Sequence, residues 1–170
     1  MRKMTDKRRA VIHILLFVGL FTVCTGGIAW LSADAGIMDV FQRWVARVTS
    51  MVVSAFGGQA LASGNVIQGS GFSLSVVNSC TGIFTTGVFL AGVLAYPASL
   101  WAKLIGVGMG MFGVFIVNIV RLVSLFYIGV HFPRFFNKAH LLVWQSLIIV
   151  FALFLWLIWA GRVAHAAHRD

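Results

Sequence analysis

Acid is nearly absent from this chain. Four carboxylates occur in 170 residues, Asp6, Asp34, Asp39 and Asp170, and none lies within a long apolar run. That rules out a buried pair of acids for general acid–base chemistry and an intramembrane Gly-x-Gly-Asp site. No His-Glu-x-x-His or Gly-x-Ser-x-Gly element is present either. Cysteine is scarce. Cys24 and Cys80 are the only two, with no Cys-x-x-Cys and no Cys/His spacing, so neither zinc nor a thioredoxin-like couple is indicated. No cofactor and no metal are expected. A Cys24–Cys80 disulfide would join the middle of one helix to the end of another, and the sequence leaves that bond open. Only two prolines, Pro97 and Pro133, interrupt the apolar runs.

What remains is hydrophobic: 60% of residues, against 10% charged. One soluble domain could not cover that much apolar surface, so the class is integral membrane protein. The net charge of +9 could suggest nucleic acid as a partner. The cations form no single patch, so that reading fails. Arg2, Lys3, Lys7, Arg8 and Arg9 instead cluster before the first apolar run, as in a cytoplasmic anchor facing anionic lipid.

The runs predict an all-α integral membrane fold of about four transmembrane helices, at about 11–31, 82–97, 104–127 and 140–160. Residues 1–170 then form a single polytopic membrane domain. The first run is too long for a signal-peptide core and has no clear cleavage site, so it reads as a retained span. The N-terminal cluster, Lys103, Arg162 and Arg169 fall on one face. Arg43, Arg47, Arg134 and Lys138 are spread over longer loops on the other. By the positive-inside rule the chain is multi-pass in the inner (cytoplasmic) membrane, with both termini cytoplasmic. Trp101 and Trp159 then lie near the inner interface and Trp30 near the outer one.

The outer loop, residues 32–79, has two halves. Met38, Phe41, Val45, Val48 and Val52 recur at helical spacing, with Asp39, Arg43 and Arg47 off the stripe. An amphipathic helix lying in the interface and a helix packed on the bundle fit this equally. Gly57 to Val77 is rich in Gly and Ser, with Phe72, Leu74 and Val76 alternating with serines. It reads as a short hairpin or extended segment. In the third run, Gly106, Gly108, Gly110 and Gly113 allow close helix packing.

Three reactive side chains lie near the outer ends of three successive spans. Cys80 sits among Asn78, Ser79, Thr81 and Gly82, at a helix start that favours a thiolate. Arg121 is the only charge between Leu104 and Tyr127. Placing it there costs roughly 2.5–3.5 kcal/mol on insertion scales unless it snorkels or finds an anion. No acid within a span can pair with it. Asn118, one turn away, could orient it or bind a substrate carbonyl. His140 opens the fourth run and could carry protons. His131 is its local competitor. His13, His165 and His168 fall on the inner side.

These motifs, Asn78-x-Cys80-Thr81-Gly82, Asn118-x-x-Arg121 and a following His140, resemble the exosortase/archaeosortase family, closest to the exosortase H subgroup. The matching stretch runs from about Asn78 to Trp156. The resemblance implies a membrane-embedded cysteine transpeptidase or protease acting at the outer face. Its roles would be Cys80 as nucleophile, Arg121 as oxyanion or thiolate stabiliser and His140 as general acid/base, with Asn78, Thr81 and Asn118 in support. It also implies protein substrates ending in a short motif, a transmembrane helix and a basic tail. Many family members have about twice as many spans. The rival reading is a non-enzymatic assembly or lipid-binding protein in which Arg121 holds an anion. A thiol–disulfide oxidoreductase fits less well, because Cys24 is the only resolving cysteine available.

Overall fold

A computed structural model describes residues 2–167 of the chain. Arg169, one of the cations used for sidedness, lies outside the described residues, as do the side chains of Arg2, Lys3, Lys7 and Arg9. The described chain is mostly helical. Helix α1 (Arg2–Ala33) is followed by α2 (Ala35–Ala55), a three-stranded sheet (β1 Ala60–Ser63, β2 Val66–Gly69, β3 Phe72–Ser75) and a 3-10 turn (Asn78–Cys80). Then come α3 (Ile83–Ala95), α4 (Leu100–His131) and a last arm. That arm holds a 3-10 turn (Pro133–Phe135), the short α5 (Phe136–Lys138), a π-helix (Ala139–Trp144) and α6 (Gln145–Ala167).

Helix ends follow local chemistry. Asp34 separates α1 from α2 and caps α2, its carboxylate accepting from the N–H groups of Gly36 at 2.9 Å and Ile37 at 3.3 Å. Helix α3 stops at Tyr96, which is extended because Pro97 follows. Lys103 Nζ donates to the freed Leu94 carbonyl at 2.7 Å. Ser99 caps α4 by accepting from the Ala102 N–H at 3.3 Å.

Helices α1, α3, α4 and α6 pack against one another, α3 touching the other three. Among the described residues, two segments are long and apolar enough to cross a membrane, Leu100–His131 and Pro133–Val163. Ile14–Trp30 and Ile83–Ala95 are shorter apolar stretches. Helix α3 has 13 residues where the sequence suggested a span over 82–97, a length of about 20 Å against a hydrocarbon core of about 30 Å.

The glycines of α4 receive bulky side chains. A Cβ at Gly106 would lie 2.7 Å from the Trp159 ring, one at Gly110 2.0 Å from Phe89 and one at Gly113 2.7 Å from Leu155. Gly108 faces open space. Trp159, expected at the interface, is buried, and its indole N–H donates to the Ala102 carbonyl at 2.9 Å. Trp30 and Trp101 are exposed.

Residues 35–75 form a second layer. Val45, Ala46, Thr49 and Val53 of α2 are buried against the sheet and α4. Packing therefore claims the stripe read from the sequence, while Ile37, Val40, Trp44 and Met51 form an exposed apolar flank. The Gly/Ser-rich half is more ordered than a single hairpin. It makes an antiparallel β1-β2-β3 meander with two-residue turns at Gly64-Asn65 and Ser70-Gly71. Gly64 and Gly71 have φ of +60° and +80°, which tight hairpin turns require. Ile67 pairs across to Leu74, and both point into the core shared with Leu122 and Phe126 of α4.

Candidate active site

Cys80 ends the 3-10 turn between the second layer and α3, and is 3% exposed. The turn is set by backbone bonds from Cys80 N–H to the Val77 carbonyl at 2.7 Å and from Thr81 N–H to the Asn78 carbonyl at 3.2 Å. Gly82 then takes φ +76° as the N-cap residue of α3. That conformation favours glycine, and a Cβ there would press on Asn118 Cγ at 3.2 Å.

The last arm brings His140 to the thiol. Its Nε2 lies 3.6 Å from Cys80 Sγ, across 60 positions of sequence. His140 is the second residue of the π-helix, a geometry in which i→i+5 bonding widens the turn and which recurs at functional sites. Its ring stacks on Phe136 at 5.9 Å. His131, the competitor, is exposed at the end of α4, where it stacks on Tyr127 at 6.3 Å. At the helical rise it lies about 15 Å beyond Arg121.

Helix α4 contributes two buried polar groups. Asn118, fully buried, donates from Nδ2 to the Cys80 carbonyl at 2.9 Å, and its Oδ1 has no partner. Arg121 is 3% exposed, lies within electrostatic range of both Cys80 and His140, and has no partner at Nε. Among the described residues its helix and its neighbours offer no carboxylate. Asp34 caps α2 and Asp39 pairs with Arg43 on the outside of α2. A buried guanidinium with its Nε donor unused is chemically able to receive an anion.

Two of the supporting residues serve the turn. Thr81 Oγ1 donates to the Asn78 carbonyl at 2.7 Å, and the Asn78 side chain accepts from Gln42 of α2. Gln42 and Asn65 were not singled out from the sequence. A lone Gln on an amphipathic helix and an Asn in a Gly-rich turn have no local signature, since their partners are far away in the chain. Cys24 and Cys80 are both free. No group of three or more potential metal ligands occurs among the described residues.

A groove of about 840 Å³ runs down the side of the bundle between α1, α3 and α6. Phe17, Phe84, Val88, Gly92, Leu153 and Trp156 line it. Phe84 and Thr85 place its upper end within two turns of Cys80, and Tyr96 and Pro97 lie at its lower end.

A thiol in contact with an imidazole, beside a buried cation, is a set of groups for nucleophilic attack on a carbonyl with stabilisation of the resulting oxyanion. Against known proteins, the family model described as "Transmembrane exosortase (Exosortase_EpsH)" matches residues 7–160. No curated protein and no solved structure matches the chain.

Proposed function

The chain belongs to the transmembrane exosortase family, and on that premise we propose that it is a membrane-embedded cysteine transpeptidase or protease that cleaves C-terminal sorting signals of exported proteins. The observation that carries this reading is the Cys80–His140 contact at 3.6 Å beside a buried Arg121 that has no carboxylate partner among the described residues. His140 takes the thiol proton, and the Cys80 thiolate attacks the scissile carbonyl. Arg121 holds the oxyanion of the tetrahedral intermediate. As the C–N bond breaks, His140 returns the proton to the leaving amine and a thioester remains on Cys80. Attack by an amine or by water releases the product and the free thiol. Exclusion of water from this pocket strengthens the charge interactions.

The topology proposed with this mechanism is a single polytopic domain with four membrane segments, α1, the short α3 with its flanking turns, α4 and the last arm. Both termini are cytoplasmic in the inner membrane, and the active site is at the outer face. From Leu100 to Arg121 helix α4 is about 32 Å long, close to the thickness of the hydrocarbon core. With Leu100 at the inner boundary, Arg121 reaches the outer one, and α2 and the sheet cover the site from outside. The groove between α1, α3 and α6 is where the substrate's transmembrane helix would lie, its scissile motif meeting Cys80 at the upper end.

The test is cleavage of a sorting-signal substrate from the same genome by cells carrying Cys80→Ala. Accumulation of uncleaved precursor is the expected outcome. Normal processing by this variant would exclude the enzyme reading and leave Arg121 as an anion site of a non-enzymatic membrane protein.

A further inference from the structure

Two strings of side chains leave the second layer: one ends on the turn that carries Cys80, the other on the His140 ring. The first is polar. Asn65, in the β1–β2 turn, donates from Nδ2 to Gln42 Oε1 at 3.2 Å and to the Val76 carbonyl at 3.2 Å. Its own carbonyl accepts from Val76 N–H at 2.8 Å. Gln42 then donates from Nε2 to Asn78 Oδ1, on the first residue of the turn that carries Cys80. Both ends of the Gln42 amide are used, so the α2 side chain bridges the sheet to the nucleophile's turn.

The second string is aromatic. Phe72, the first residue of β3, lies over Gly129 of α4, where a Cβ would come within 2.2 Å of its ring. It packs edge-on against Phe126 at 6.2 Å and against Phe136 at 5.4 Å. Phe136 stacks on His140 at 5.9 Å. Neither Gln42 nor Phe72 touches a reacting atom, yet each lies one residue away from an element that does.

We propose that the layer built from α2 and the sheet aligns the catalytic pair, with Gln42 positioning Cys80 and Phe72 positioning His140. This rests on the reading of Cys80 and His140 as a reacting pair. Helix α4 holds the Cys80 carbonyl through Asn118 at 2.9 Å, but Cys80 itself sits before α3 begins and His140 lies in a π-wound arm beyond α4, so neither helix by itself fixes both groups. Both reactive groups are on irregular segments, and the second layer is the common support behind them. Displacement of about 1 Å in such a pair costs on the order of a hundredfold in rate.

The groups facing Cys80 are His140 and Arg121. Sheet and α3 carry no charged residue, Asp34 caps α2, Asp39 and Arg43 pair with each other, and Arg47, Arg134 and Lys138 are exposed. Iodoacetamide alkylation of Cys80 therefore reports on the pair. The assay uses the full chain in proteoliposomes with Cys24→Ser, which leaves Cys80 as the single thiol. At about pH 7 reaction depends on a base taking the proton, whereas at about pH 9 an ordinary thiol ionises unaided. Gln42→Ala and Phe72→Leu should each slow alkylation roughly fivefold at neutral pH and leave the rate at about pH 9 unchanged. A purely structural role would instead loosen the site and speed alkylation at both pH values, or change both equally. Either result, or no change, overturns the proposal. The two variants perturb separate strings, so if one fails to accumulate in the membrane the other decides. His140→Ala in the same assay separates the two readings. If it leaves the neutral rate unchanged, the paired thiol itself is refuted. If it alone slows the reaction, the pair stands and the positioning role falls.

Discussion

Replacing Arg121 by methionine should make the protein more stable and catalytically dead. The guanidinium is 3% exposed, its Nε has no partner, and no carboxylate lies near it among the described residues. Burying an uncompensated charge in a membrane span costs roughly 2.5–3.5 kcal/mol at the centre of the bilayer, and less toward its edge. Methionine fills a similar length of apolar space without that cost. A gain of about 1–2 kcal/mol is expected after allowing for position and lost packing. Loss of an oxyanion donor should lower turnover by roughly a hundredfold to a thousandfold. The assay pairs thermal aggregation of the detergent-solubilised variant with cleavage of its substrate. Higher thermal stability together with lost cleavage is the expected pattern. Destabilisation comparable with that of a core truncation would mean that Arg121 has a resident partner and is a structural anchor. Retained cleavage would remove it from the mechanism. Either result refutes the reasoning from its missing counter-ion.

His140→Ala should abolish cleavage and His131→Ala should leave it within about twofold, because of these two His140 is the one that reaches the thiol. A substrate-processing assay on the two variants checks this, and reversed sensitivities would move the base to His131. Val88→Trp should fill the groove between α1, α3 and α6 and slow cleavage of a membrane-anchored substrate, with iodoacetamide labelling of Cys80 unchanged. Equal cleavage by this variant and the parent would exclude the groove as the docking path. Gly110→Leu would drive a side chain into the Phe89 ring, which lies 2.0 Å from an ideal Cβ. A loss of about 1–3 kcal/mol, read as lower yield and lower aggregation temperature, is expected.

The chain's class could be read from its residues because the signals are local. Few acids, long apolar runs and two prolines at run ends identify membrane helices without any knowledge of contacts. Cys80, Arg121 and His140 stood out for a related reason: each interrupts an apolar stretch, and a polar group there has a cost that invites a functional account. Helix-packing glycines were equally visible, since Gly106 and Gly110 follow the spacing of one helix face.

Partners were not visible. Periodicity identified the stripe on α2, but only the assembled molecule buries Val45 and Val53 against the sheet and α4. Of the four-residue strands, Ala-Leu-Ala-Ser, Val-Ile-Gln-Gly and Phe-Ser-Leu-Ser, only the third alternates plainly, too little to announce a three-stranded meander. The choice between His131 and His140 depended on the path of the chain after α4, where a π-wound turn points one ring at the thiol. Likewise, the Asn65–Gln42–Asn78 bridge joins three segments whose sequences say nothing of one another. The sequence by itself determined a helical membrane protein with a costly arginine in one apolar run, no carboxylate in any run to pair with it, and a cysteine at the start of another. Tertiary structure decided which imidazole meets the cysteine thiol, because contacts across 60 positions depend on packing that no local pattern encodes.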